Sequence, residues 1–256
     1  MIVGVGSWRG SGATTVAYAL AAALAAQGHR PWLVEADPAG GVLAARLPDG
    51  AVIAGGLEHV AFPDTRTDPA ARLAEAAGDV GGMRVVGAPG DAFRAWACHA
   101  PRQPWAPALR DLDGPVVVDV GRLRGASPVG AVLAQCDVLV LVTDSDATSI
   151  VSTEDWATAL GRVAPVDSPM PLDVTRVVVV DTPHAIDRVG RADADAELGD
   201  RLAGWLPWEP DAVRSLYDGV PVTDRRFRRS ALVQAALHLA DRLTAGLGVR
   251  AAEDAA

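Results

Sequence analysis

The sequence predicts an α/β protein built on a single doubly wound, mostly parallel sheet of roughly seven or eight strands, with helices on both faces. Three observations carry this. Short, continuous Val/Leu/Ile runs recur along the chain and fit strands buried on both sides. Helix-like stretches alternate with them, the order that gives parallel strands joined by crossover helices. A Gly-rich turn at residues 7–15 stands between the first strand and the first helix, at the sheet end where such folds take their ligands. With 256 residues, half of them apolar, the chain suits one domain. That domain is expected over residues 1–249, with a frayed tail at 250–256.

Ile2–Val5 is the first strand. Ala13–Gln27 follows as an Ala/Leu helix stopped by Gly28, a residue suited to the left-handed position after a helix. Tyr18, Gln27 and the flanking turns make this run a buried helix rather than a membrane span. Pro31–Glu35 is the next strand, and Leu57–Ala61 reads as a further short one. Pro69–Ala77 is helical and Met83–Gly87 is a strand. The stretch 91–113, with its prolines and tryptophans, is irregular: a short helix and a loop laid over one sheet edge. Strands Pro115–Asp119, Val138–Thr143 and Arg176–Asp181 alternate with helices near Ser127–Gln135, Ser152–Gly161 and Asp193–Leu202. A short strand at Ala203–Leu206 and helices at Asp211–Tyr217 and Ser230–Leu247 complete the order.

The formal net charge of −9 argues against a protein that coats nucleic acid over its whole surface. Lysine and asparagine are absent, so every basic side chain is an arginine and chemistry that needs a lysine amine is excluded. Cys98 and Cys136 match no metal or redox spacing and read as reduced thiols. The histidines form no ligand pair, and no G-x-S-x-G elbow supports hydrolase chemistry. No basic leader precedes the first strand and no stretch reads as a transmembrane segment. A cytoplasmic protein is expected, with peripheral attachment to membrane or nucleoid left open.

Three features converge on nucleotide chemistry. Residues Ser7-Trp8-Arg9-Gly10-Ser11-Gly12-Ala13-Thr14-Thr15 form a strand–turn–helix loop whose backbone N–H groups can hold phosphate oxygens. Its Thr14 and Thr15 hydroxyls lie where one can reach Mg2+. Leu33–Pro38 ends a strand in two carboxylates, Glu35 and Asp37, and Val116–Asp119 ends another in an acid. All three belong at the carboxyl ends of the strands.

These residues resemble the MinD/ParA group of P-loop ATPases with a deviant Walker A loop. The family's G-K-G-G-x-G-K-[ST]-[ST] pattern falls on Ser7–Thr15, its D-x-D-P-x-G switch on Glu35–Gly40, and its Walker B acid on Asp119. Cys136–Thr143 looks like the family's next core strand. Leu206-Pro207 with Asp218–Val222 resembles its C-terminal segment, so the likeness runs nearly end to end. A finer likeness is to degenerate MinD-like proteins of actinobacteria, related to the CpaE/TadZ group. It rests on Leu33–Leu47, on Val118–Leu123 and on Arg228-Arg229-Ser230.

The resemblance implies a nucleotide site at Arg9, Gly10, Ser11, Gly12, Ala13, Thr14 and Thr15, with Asp181 at the adenine-contacting position. Mg2+ would be held by Thr14, Asp37 and Asp119, and Asp37 would orient the attacking water if hydrolysis survives. Two lysines of the pattern are missing. The Walker lysine is Ala13, and the signature lysine that crosses to the partner's nucleotide is Trp8. In a chain that uses arginine throughout, neither place received one. Loss of such a charge costs roughly 10³–10⁵ in rate, so ATP and Mg2+ are expected to bind weakly or not at all, with hydrolysis very slow or absent. Arg9 is the nearest replacement cation.

The expected role is a localisation or scaffold factor for a larger assembly such as a pilus or secretion machine, acting as a homodimer with protein partners. The alternative is an ATP-dependent dimerisation switch of the partition type that binds DNA or membrane. Arg225, Arg226, Arg228 and Arg229 form the dense basic run through which DNA or an anionic membrane would be met, with Phe227 suited to a lipid surface or a base stack.

Overall fold

The structure, a computed structural model, describes residues 1–53, 56–63, 68–101, 103–124, 127–163, 175–225 and 227–253, without the side chains of 160–163 and 246–253. Its strands are β1 Ile2–Ser7, β2 Trp32–Glu35, β3 Gly78–Val80, β4 Met83–Val86, β5 Val116–Arg122, β6 Val138–Asp144, β7 Thr175–Asp181 and β8 Leu202–Pro207. They form one 8-stranded sheet in the order β3-β4-β2-β5-β1-β6-β7-β8. Only the β3–β4 pair is antiparallel, which makes this the mostly parallel sheet that the sequence predicts.

The helices are α1 Ala13–Ala26, α2 Leu43–Arg46, α3 Gly56–Ala61, α4 Pro69–Ala76, α5 Ala92–Ala97, α6 Trp105–Ala108, α7 Gly130–Leu133, α8 Ala147–Val163, α9 Arg191–Leu198, α10 Pro210–Tyr217 and α11 Ala231–Glu253. Strand side chains alternate between two cores, as the two-residue period requires. Val3, Val5, Leu33, Val117 and Val140 pack under α1, α10 and α11. Val34, Val116, Val118, Leu139 and Val179 pack under α3, α4, α6, α7, α8 and α9. Both faces are dry, hence the uninterrupted valine runs. The alanines of α1 let that helix lie close against the sheet centre, and Gly28 ends it with φ +89°.

Several elements differ from expectation. Leu57–Ala61 is not a strand but most of α3, because Leu57, Val60 and Ala61 fall on one buried helical face. Strand β3 is absent from the expected order, although Gly81-Gly82, both with positive φ, is a hairpin turn between Val80 and Met83. The 91–113 stretch covers a sheet face rather than an edge: Trp105, Ala106 and Leu109 are buried in the same core as Ile2, Trp32 and Val116. Within Ser127–Gln135 only Gly130–Leu133 is helical. The α8 helix starts at Ala147, five residues before the expected Ser152, because the Asp146 carboxylate accepts the Thr148 N–H. The α9 helix closes at Leu198, so Leu202 already belongs to β8. The α11 helix runs on to Glu253 instead of Leu247.

Candidate functional site: a phosphate loop between two cavities

The loop between β1 and α1 stands at the centre of the sheet's carboxyl edge, since β1 lies between β5 and β6. Gly10 and Gly12 take positive φ, +82° and +93°, conformations that strain any other residue. Gly12 is the residue before the helix, and among the described residues no side chain caps the N–H groups behind it. Those donors remain free for a ligand. The Gly10 N–H instead donates to Ser7 Oγ at 3.1 Å, which holds the loop's first bend.

Two cavities flank this loop. One, of about 680 Å3, lies on the side of β2 and β5 and is lined by Gly10, Gly12, Ala13, Thr14, Thr15, Asp37 and Arg122. The other, of about 640 Å3, lies on the side of β6–β8 and shares Gly10, Gly12 and Thr15 with the first.

Thr14 and Asp37 line the first cavity, and Asp119 lies buried beside Thr14 without lining it. Asp119 ends the apolar part of β5 and is fully buried. Its Oδ1 accepts the Gly121 N–H at 3.0 Å, whereas Oδ2 has no hydrogen-bond partner among the described residues. Burial pushes its pKa up to about 7; the nearby Thr14 hydroxyl opposes the rise, while Glu35 and Asp37 add to it. An orphaned buried carboxylate oxygen beside a hydroxyl is the arrangement a divalent cation satisfies. The residues present therefore fit Mg2+.

Asp37 sits against Gly121, where any Cβ would overlap its carboxyl and where φ is +63°. Burial raises the Asp37 pKa, against the Ala39 N–H, which donates at 2.8 Å, and the facing Arg122 guanidinium. Glu35, the other carboxylate of the pair, does not face the ligand space. Its Oε1 accepts the N–H groups of Val42 (2.6 Å) and Leu43 (3.0 Å), and its Oε2 that of Ala88 (3.0 Å). It is a buckle that fixes the turn after Asp37. Thr15 is tied to Tyr217 by a hydroxyl–hydroxyl bond of 3.1 Å, and Arg46 donates to the same Tyr217 hydroxyl. Ala13 is buried and brings no charge.

The second cavity has an apolar floor, including Val16, Val180, Leu206 and Val213, which suits a flat ring. Arg9 and Ser11 line it. Trp208 is half exposed at its rim, edge-on to His184. Asp181 does not line either cavity: its carboxylate accepts Arg188 Nη2 at 2.6 Å and Nε at 3.0 Å. The adenine-contacting position of the resemblance is thus turned into an ion pair, and Thr182 lines the cavity beside it.

Trp8 lies against Trp156 of α8, with ring centroids 5.7 Å apart. Phe227 is buried, not available to a lipid surface or a base. Arg225, Arg228 and Arg229 are exposed, and Arg226 lies outside the described residues. Residue type and strand-end position point to Asp37 and Asp119. They could not point to Arg122 or the Arg46–Tyr217 latch, which depend on register and long-range packing.

Solved structures of similar shape share this fold at low identity. A ParA family ATPase from Chlorobium tepidum aligns with TM-score 0.73 at 16% identity, over 93% of this chain and 96% of that one. The septum site-determining protein MinD from Pyrococcus horikoshii, in complex with Mg-ADP, aligns with TM-score 0.74 at 18% identity, over 97% of each. A single-residue variant of McdA from Cyanothece, in complex with ATP, aligns with TM-score 0.62 at 16% identity, over 95% of each. The fold is that of the MinD and ParA ATPases. No family model matches the chain, and no curated protein matches it in sequence.

Proposed function

We propose that this chain is a MinD/ParA-like P-loop protein with a degenerate site, serving as a localisation or scaffold factor for a larger assembly such as a pilus or secretion machine. It holds a nucleoside triphosphate with Mg2+ weakly and turns it over too slowly to run a cycling switch. Thr14, Asp119 and Asp37 hold the metal, the loop N–H groups hold phosphate oxygens, and the apolar cavity takes the base.

The observation that carries this reading is a contrast between the residues around one loop. The glycine turn, the hydroxyl and the orphaned Asp119 oxygen are kept, while both positions that would bring a lysine are apolar, Ala13 and Trp8. Trp8 moreover lies on a tryptophan of its own chain, an arrangement unsuited to reaching a partner's nucleotide. Solved structures of similar shape hold Mg-ADP and ATP, which supports a nucleotide rather than another anion. Among the described residues no helix is long and apolar enough to cross a membrane. Arg225, Arg228 and Arg229 are the surface for an anionic partner.

Light scattering during gel filtration, with and without ATP·Mg2+, tests the proposal together with a phosphate-release assay. The expected result is one mass under both conditions and no release above background. A nucleotide-driven change from monomer to dimer with steady release would favour the partition-type switch instead.

A further inference from the structure

We propose that Arg122 supplies the phosphate-binding positive charge in the cavity that Arg9, the loop's own cation, does not line. The inference rests on the nucleotide-site reading above and names the residue that makes it workable.

The first support is register. Asp119 pairs with Val5, but Gly121 pairs with Gly6, so β5 carries one extra residue, Val120, across from β1. That bulge, with Gly121 in the left-handed region, places Arg122 opposite Ser7, the first residue of the loop. The second is contact. A Cβ on Gly10 would collide with Arg122 Nη2 and stand 3.1 Å from Cζ and 3.2 Å from Nε, so the guanidinium rests on the loop backbone. The glycine at position 10 is needed as much for this approach as for its φ.

The third is charge. Among the described residues Arg122 has no ion pair within 4.0 Å, and the acid it faces is Asp37. It shares its cavity with Arg46 and Arg124, three cations against one carboxylate. Arginine keeps its charge at any working pH and can present two parallel N–H groups to a phosphate. Arg9, the nearer residue in sequence, lines the other cavity. The cation has therefore moved from the helix to the neighbouring strand.

The test is equilibrium binding followed by 31P NMR, with ATP·Mg2+ and with inorganic tripolyphosphate, for the wild type, Arg122→Ala, Arg122→Lys and Arg9→Ala. Arg122 is exposed, and matched melting curves check that the variants fold. We expect Arg122→Ala to weaken both ligands by roughly 10- to 100-fold. Arg122→Lys should recover part of the loss, and Arg9→Ala should change affinity by less than about threefold. If the wild type binds ATP and Arg122→Ala binds it equally, the Arg122 assignment falls and the nucleotide reading stands. If tripolyphosphate binds through Arg122 but the nucleoside adds nothing to affinity, Arg122 stands and the nucleotide reading falls. If the wild type binds neither ligand, both fall.

Discussion

The two cavities beside the phosphate loop share its glycines but have opposite electrostatics. The one towards β2 and β5 is lined by Arg46, Arg122 and Arg124 with Asp37 alone against them. The one towards β6–β8 has Arg9 against Asp144, Asp146 and Glu209. Two of those acids are already committed. Asp146 accepts the N–H groups of Thr148, Ile186 and Asp187, each at 3.1 Å. Glu209 accepts the Ser230 hydroxyl at 2.5 Å and the N–H groups of Ala231 and Leu232. Asp144 differs in that only Oδ1 is so held, accepting the Asp146 N–H at 3.1 Å, while its Oδ2 stands 3.5 Å from Ser11 Oγ within the loop. Polarity is thus set around the loop rather than in it. By charge alone the arginine side favours an anion and the other side an uncharged, flat group.

The contrast can be broken most severely at the arginine side. Glu35→Ala would strip three N–H groups, two of them buried, of their acceptor and release the turn that holds Asp37. We expect a loss of about 3–5 kcal/mol in denaturant unfolding, together with loss of nucleotide binding. A stability change under about 1 kcal/mol would show that the buckle is dispensable.

Next in size is Asp119, whose ionised form is penalised by burial. Its folded pKa of about 7 lies above the ordinary value of 3.8. The penalty is therefore absent below the unfolded pKa, grows as pH rises between the two values, and is complete above the folded one. In metal-free buffer, Asp119→Asn should stabilise the protein by on the order of 2–4 kcal/mol near pH 8, with the gain fading towards pH 4. The same variant should lose the Mg2+ dependence of nucleotide binding. A gain that is flat with pH would contradict the assigned cause.

Restoring a cation comes third. Ala13 lines the arginine-side cavity, so a lysine there has room to extend. Ala13→Lys is expected to tighten ATP·Mg2+ binding roughly 10- to 100-fold in calorimetry. No change would mean that phosphate does not sit on this loop. The smallest effect sharpens the opposite side: Asp144→Asn removes a negative charge beside Ser11, and we expect binding to tighten about fivefold, less at high salt.

Much of this arrangement is legible in the sequence, and the limits have physical causes. The buried valine runs reveal seven of the eight strand positions because both faces of the sheet are dry. The hairpin strand Gly78–Val80 escapes notice because it is short and lies at an edge. Leu57–Ala61 is ambiguous between strand and helix as a short apolar run. At the site, Asp37, Asp119 and the glycine loop follow from strand-end position. Asp181 does not, because nothing local announces its capture by Arg188. Arg122 stands in the sequence only as an arginine three residues past the strand-end acid Asp119. Its aim comes from a bulge in β5, a property of strand pairing rather than of composition.

The central claim is that a phosphate-binding loop has been kept without the means to turn over its ligand. Isothermal titration of the wild-type protein with ATP·Mg2+, paired with phosphate release on the same sample, tests it most directly. The expected result is weak binding, with Kd roughly 0.1–1 mM, and no turnover above background. Micromolar affinity with steady release would contradict it.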